Sequence, residues 1–229
     1  MKIITPTEIE NIAWEGKLAP LNEAHKGDRP EVKVTIGEPV WWSAEQALEG
    51  EVKKKWTPPA NNRQYLLLRL ACTLHPPESQ RTRYTEATFG AYFNAKSSDQ
   101  SIIAHDLYPT RLAIDAKQKF TLALTPEVKF AESIEAKLGE VGAEIEYAKA
   151  FPVIQGFGLG ESHPYWRFAH HAANPLLGSQ CVYAVIAAPK NVDGIQLSLE
   201  LVATLETRFG IIPLGLPKEA QTYLLKTIT

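Results

Sequence analysis

The sequence predicts an all-β fold, a mostly antiparallel two-sheet β-sandwich with an irregular N-terminal segment and one or two short helices. Three observations predict it. Several runs alternate apolar and polar residues with a period of two, turn residues separate these runs, and no strand–helix–strand rhythm occurs. At 229 residues the chain is long enough to bury a core without disulfide or metal staples. The expected organisation is one domain over 1–229, with a Pro-rich irregular segment 1–60 packed on a sandwich core 61–229.

Pro6, Pro20, Pro30, Pro39, Pro58 and Pro59 interrupt the first segment. Within it, Val32, Val34 and Ile36 alternate with polar neighbours and predict a strand over 31–36. Ser43 and Gln46 have capping-box spacing, so a short helix opens at Ala44 and stops at Gly50. From residue 64, Leu66, Leu68, Leu70, Cys72 and Leu74 share one strand face, ended by Pro76-Pro77. In the run 83–95, Ala87, Phe89, Ala91 and Phe93 share a face. These two runs, joined by 76–80, are expected to pair with each other. Phe120, Leu122 and Leu124 predict a strand stopped by Pro126. The run 180–188 is nearly all apolar and predicts a strand buried on both faces. Ile195, Leu197, Leu199, Leu201, Ala203 and Leu205 give the cleanest alternation, and 191–194 is the turn before it. A last strand near 222–228 follows the Gly- and Pro-rich stretch 210–217.

Residues 126–151 admit two readings. Val128, Ala131, Ile134, Leu138, Val141, Ile145 and Ala148 recur at helical spacing, and Thr125-Pro126 would cap and open such a helix. Ile134, Ala136 and Leu138, then Val141, Ala143, Ile145 and Tyr147, also alternate as in a strand. One slip at Gly139-Glu140 fits a β-bulge. Glycines inside a helix would cost about 1 kcal/mol each, so a bulged strand pair is preferred over the helix.

A net charge of -2 and a pI near 6.3 argue against a dedicated nucleic-acid binder and leave such contact to a larger complex. The N-terminus lacks the roughly 7–15 apolar residues of a signal peptide. No stretch approaches the ~20 apolar residues of a membrane helix. The expectation is therefore a soluble cytoplasmic protein with no membrane partner. Cys72 and Cys181 fall in strand-like runs and read as small buried hydrophobes.

Motifs for catalysis are missing. Gly156, Gly158 and Gly160 precede Glu161-Ser162-His163-Pro164, a poor helix opening, so they read as a bend between strands and no cofactor is expected. His163, His170 and His171 cluster in sequence, but adjacent residues of a strand face opposite ways, so no metal is assigned. Ser162 and Ser179 lie outside any G-x-S-x-G elbow. No catalytic residue is named.

Aromatic residues supply the candidate recognition surface: Trp41 and Trp42 side by side, Trp56 beside Lys53, Lys54 and Lys55, and Tyr165-Trp166. Such rings bury large areas and keep a polar tip. The expected function is a non-catalytic intracellular interaction or scaffolding protein, a subunit or accessory factor of a larger assembly with a protein partner. The alternatives are a small-ligand or carbohydrate-binding sandwich module, or a histidine-dependent enzyme with or without a metal.

Overall fold

A computed structural model describes residues 11–21, 30–47, 57–95, 101–112, 123–125, 128–129, 153–171, 175–223 and 225–228. In chain order its strands are β1 (Ile12–Lys17), β2 (Ala19–Pro20), β3 (Lys33–Gly37), β4 (Val40–Ser43), β5 (Arg63–Leu74), β6 (Arg83–Ala95), β7 (Ile103–Tyr108) and β8 (Arg111–Leu112). They continue as β9 (Ala123–Thr125), β10 (Val128–Lys129), β11 (Val153–Phe157), β12 (Tyr165–Ala169), β13 (Gly178–Pro189), β14 (Ile195–Thr207), β15 (Gly210–Gly215) and β16 (Leu225–Ile228). Two short helices, α1 (Ala44–Ala47) and α2 (Lys218–Tyr223), are the only ones among the described residues.

Apart from β9 and β10, which pair with each other in a separate ribbon, the strands form two antiparallel sheets, as the alternation predicts. The first runs β1-β3-β5-β13-β7, with β4 also on β5. The second runs β2-β15-β14-β6-β12-β11-β8, with β16 on β14. Leu68, Leu70, Cys72 and Leu74 of β5 and Val182, Ala184, Ile186 and Ala188 of β13 turn inward. They meet Phe89, Ala91 and Phe93 of β6 and Leu197, Leu199 and Leu201 of β14 in one buried core. Burial of these apolar faces is the main stabilising contribution, at about 25 cal/mol per Å².

A second, smaller cluster lies on the other face of the first sheet. There α1 lays Ala44 and Ala47 over Tyr65, Leu67, Val185 and Ala187, with Trp42 and Tyr183 at the side. This is why β13 is apolar on both faces, as its sequence predicts. The helix start is the expected capping box. The Ser43 N–H donates to Gln46 Oε1 at 3.0 Å, and the Gln46 N–H donates to Ser43 Oγ at 3.2 Å.

Several local expectations change. β5 and β6 do not pair; they stand in opposite sheets, and the proline-rich connection 75–82 crosses between them. Placed face to face, their apolar faces bury each other; side by side they would still need a covering layer. Likewise the 191–194 turn passes from the first sheet to the second. The described residues 12–21 and 30–43 are less irregular than expected, because β1, β3 and β4 extend the first sheet and β2 the second. The stretch 210–217 holds β15, and the last strand, β16, is preceded by α2. Val128 and Lys129 pair with β9, so no helix runs from Pro126 through these two residues. The remainder of the 126–151 question lies outside the described residues.

The two cysteines are free thiols. In the register Cys72 faces Gln180 and Cys181 faces Ala71, so their side chains point to opposite faces. Cys72 is buried as expected, and Cys181 is half-buried.

Candidate functional site

Strand register fixes which loops are neighbours. Leu74 lies opposite Val34 and Gly178, and Arg83 opposite Glu206. Ala169 lies opposite Glu86 and Val153, and Leu112 opposite Ile154. The 75–82 loop, the 170–177 connection and the tip between β14 and β15 therefore share one end of the sandwich. The chain leaves β8 and re-enters β11 at that same end. Between these two paired strands run forty residues, 113–152, of which β9 and β10 are described.

The point of departure is firmly held. β7 belongs to the first sheet and β8 to the second, and Pro109 and Thr110 carry the chain across. Thr110 Oγ1 donates to the Leu107 carbonyl at 2.9 Å, and the Gly156 N–H donates to the Thr110 carbonyl at 2.9 Å. The Trp166 Nε1–H donates to the Pro109 carbonyl at 3.0 Å. A Cβ on Gly156 would stand 3.1 Å from the Pro109 oxygen and 3.2 Å from Trp166 Nε1, so a glycine lets β11 lie this close.

The glycine-rich bend closes the neighbouring edge. Gly158 and Gly160 take φ of 83° and 81°, the left-handed region that glycine tolerates. Between the sheets, the Gly160 N–H donates to Ala104 and the Ala104 N–H to Glu161, each at 2.8 Å. On the outer face of the second sheet, His163 Nε2 lies 2.6 Å from Glu200 Oε1. The His163 ring stacks on Tyr92 with centroids 3.6 Å apart, and Phe157 stacks on Tyr165 at 5.0 Å.

The predicted recognition residues do not form one surface. Trp41 stands on β4 opposite the inward Leu68 and is 36% exposed at the sheet edge. Trp42 packs on the outer cluster of the first sheet. Tyr165 is half-buried on the second sheet. Trp166 is fully buried and belongs to the core, because its N–H finds the Pro109 carbonyl there. Trp56 lies outside the described residues. His163, His170 and His171 do not converge either, and among the described residues no group of three His, Cys, Asp or Glu could hold a metal.

Buried ionisable groups show what the interior tolerates. Burial pushes the Cys72 thiol well above its ordinary range, with nearby Cys181 adding to it. Burial likewise pushes the Tyr84 phenol up, and its hydroxyl donates to the His75 carbonyl at 3.1 Å. Cys181 is raised by burial, partly offset by a hydrogen bond with Tyr183 and the charge of Arg69. Arg69 is 6% exposed, and its Nε has no hydrogen-bond partner among the described residues.

Sequence reasoning missed the tip between β14 and β15. It carries Arg208 and Phe209, with the Arg208 guanidinium 4.2 Å from the Phe209 ring centre. Only the dipeptide Phe209-Gly210 after a long alternating run could have marked it as a hairpin turn.

No family model matches the chain, and no curated protein matches it. Several solved structures are similar to it at low identity. One is described as a pore forming protein: 11% identity, covering 94% of this chain and 95% of that one, TM-score 0.40. Another is the Clostridium perfringens NetB toxin in its membrane-inserted form: 10% identity, 89% and 90% covered, TM-score 0.34. A third is the Clostridium perfringens delta-toxin: 9% identity, 94% and 92% covered, TM-score 0.34. Among the described residues no helix is long and apolar enough to cross a membrane, a statement that does not touch β-barrels. The expectation of a cytoplasmic scaffold or accessory subunit without membrane contact is corrected by these neighbours, which are a pore-forming protein and two toxins, one of them inserted in a membrane.

Proposed function

We propose that the chain is a pore-forming protein that inserts residues 128–151 into a bilayer as a β-hairpin. The observation that carries this reading is the side-chain pattern of the stretch that leaves and returns at the paired strands β8 and β11. A hairpin turning at Gly139-Glu140 would set Leu138 opposite Val141, Ala136 opposite Ala143 and Ile134 opposite Ile145. Phe130, Val128, Tyr147 and Phe151 fall on that same face. The opposite face would carry Lys137, Glu135, Ser133, Glu144 and Glu146. The apolar face is broken by Glu132 and Lys149, which are opposite in charge and diagonal neighbours in this register.

Such arms suit a bilayer. A transmembrane strand needs about 9–11 residues at a tilt near 45° and alternates lipid-facing apolar with lumen-facing polar side chains. Each arm, 128–138 and 141–151, meets that length. Two strands per chain would leave open edges in lipid, so several copies must close a barrel together.

The test is dye release from lipid vesicles by the full chain. Wild type is expected to release dye and to form oligomers on the vesicles. Ile134→Arg places a charge near the middle of the lipid face, at a cost of about 2–4 kcal/mol per inserted chain, and should abolish release. Ser133→Arg, on the lumen face, should retain it. Vesicle-bound wild-type protein that releases nothing, or equal release by Ile134→Arg and Ser133→Arg, would overturn the reading.

A further inference from the structure

We propose that the loop end of the sandwich docks on anionic phospholipid, with Arg81 and Arg208 holding headgroup phosphate and Phe209 entering the bilayer interface. The inference rests on the pore-forming reading for its place in the sequence of events, but on different residues. Loop 75–82 and the β14–β15 tip meet over a cleft of about 500 Å³ lined by Gln80, Arg81, Thr82, Thr207, Arg208 and Phe209 among others. No carboxylate lines it. Both arginines are exposed, and a guanidinium presents a fixed fork of donors that suits phosphate.

The tip is built to hold an apolar side chain outward. Thr207 Oγ1 accepts from the Phe209 N–H at 3.1 Å and donates to the Gly210 carbonyl at 3.1 Å, and Gly210 takes φ of 123°. These bonds fix the turn, which leaves Phe209 and Ile211 each 65% exposed. Two large apolar side chains beside arginines suit a membrane interface, where rings sit at headgroup depth and cations meet anionic lipid. The ion pairs nearby are internally balanced: Arg83 Nη2 lies 2.6 Å from Glu206 Oε2, and Arg167 pairs with Glu86. Lys17 pairs with Glu31, and the charge of Glu78, in the same loop as Arg81, also acts on Lys17. The charged side chains that line the cleft itself are Arg81 and Arg208.

Position completes the argument. The cleft lies at the same end from which 113–152 leaves β8 and returns to β11. A surface that binds headgroups there would hold the inserting stretch against the bilayer.

Vesicle co-sedimentation of the full chain tests this, using phosphatidylcholine vesicles with and without phosphatidylserine. Wild type should bind the phosphatidylserine vesicles more tightly, and added salt should weaken that binding. Arg81→Gln/Arg208→Gln should lower the affinity about thirtyfold, since each basic residue near an anionic surface counts for about fivefold. Phe209→Ala should weaken binding to both vesicle types. All three side chains are exposed, so melting temperatures should stay at the wild-type value and show that the variants fold. Unchanged binding by the double variant would overturn the proposal, as would failure of wild type to bind either vesicle. Saturable binding of inorganic phosphate with no vesicle preference would also overturn it, in favour of a free-phosphate site. The two readings fail separately. Arginine-dependent binding without dye release leaves docking intact and removes the pore, whereas dye release indifferent to the arginines does the reverse.

Discussion

Replacing Trp166 by Phe tests whether the crossing between the sheets depends on one buried hydrogen bond. The indole is fully buried and donates to the Pro109 carbonyl at 3.0 Å. Phenylalanine keeps an aromatic ring but removes the donor, and an acceptor left buried without its partner costs about 1–3 kcal/mol. The smaller ring leaves a void on the order of 35 Å³, which adds roughly 1 kcal/mol at about 24 cal/mol per Å³. The sum is about 2–4 kcal/mol. A chain of this size loses about 2–4 °C of melting temperature per kcal/mol, so calorimetry should record a fall of roughly 4–16 °C. Trp41→Ala at the exposed sheet edge should move it far less. A Trp166→Phe protein melting within about 2 °C of wild type would refute the reasoning and show that the crossing does not depend on this hydrogen bond.

Three further outcomes follow from the structure. Gly158→Ala should destabilise strongly, because φ is 83° and the new Cβ would overlap the His163 carbonyl oxygen. Gly160→Ala, at φ 81° with open space around it, should cost only the left-handed strain of about 1–2 kcal/mol, and paired thermal melts compare the two. Stability should fall as pH rises past the ordinary thiol and phenol ranges, about 8.5 and 10. Cys72 and Tyr84 keep their protons in the fold but lose them in the unfolded chain, so the unfolded state binds fewer protons there. Denaturant titrations across that window should show this decline, with a shallower slope in Tyr84→Phe. Arg69→Met should leave the denaturation midpoint unchanged or raised, since a buried cation with an unbonded Nε gives way to an apolar chain of similar length.

The sandwich was legible because a half-buried strand writes its burial into every second residue. β5, β6 and β14 each carry that period over a dozen positions, and β13 carries the signature of two covered faces. Sheet membership was not legible, since the apolar face of β5 reads the same whether β6 lies beside it or across the core. β15 was hidden by Gly210, Pro213 and Gly215, residues whose local preference is for turns, although Pro213 and its neighbours pair with β14. For the aromatic residues, type alone could not separate Trp166 from Trp41. One finds a buried carbonyl brought to it by a crossing between sheets, and the other sits on an edge strand. The Arg81–Arg208 cleft was invisible for a related reason: its two sides come from loops that only register makes neighbours.

The two strands that bracket 113–152 are unequal as fasteners. β8 meets its neighbour through Arg111 and Leu112 alone, whereas β11 is matched along five residues of β12, which in turn is backed by β6. Tension drawn through residue 113 along the strand would meet only these two β8 pairs. The same pull through residue 152 would be shared by the five pairs with β12. The β8 side would therefore yield before the β11 side, but only as far as Thr110, where the hydrogen bonds of the crossing between the sheets take up the load.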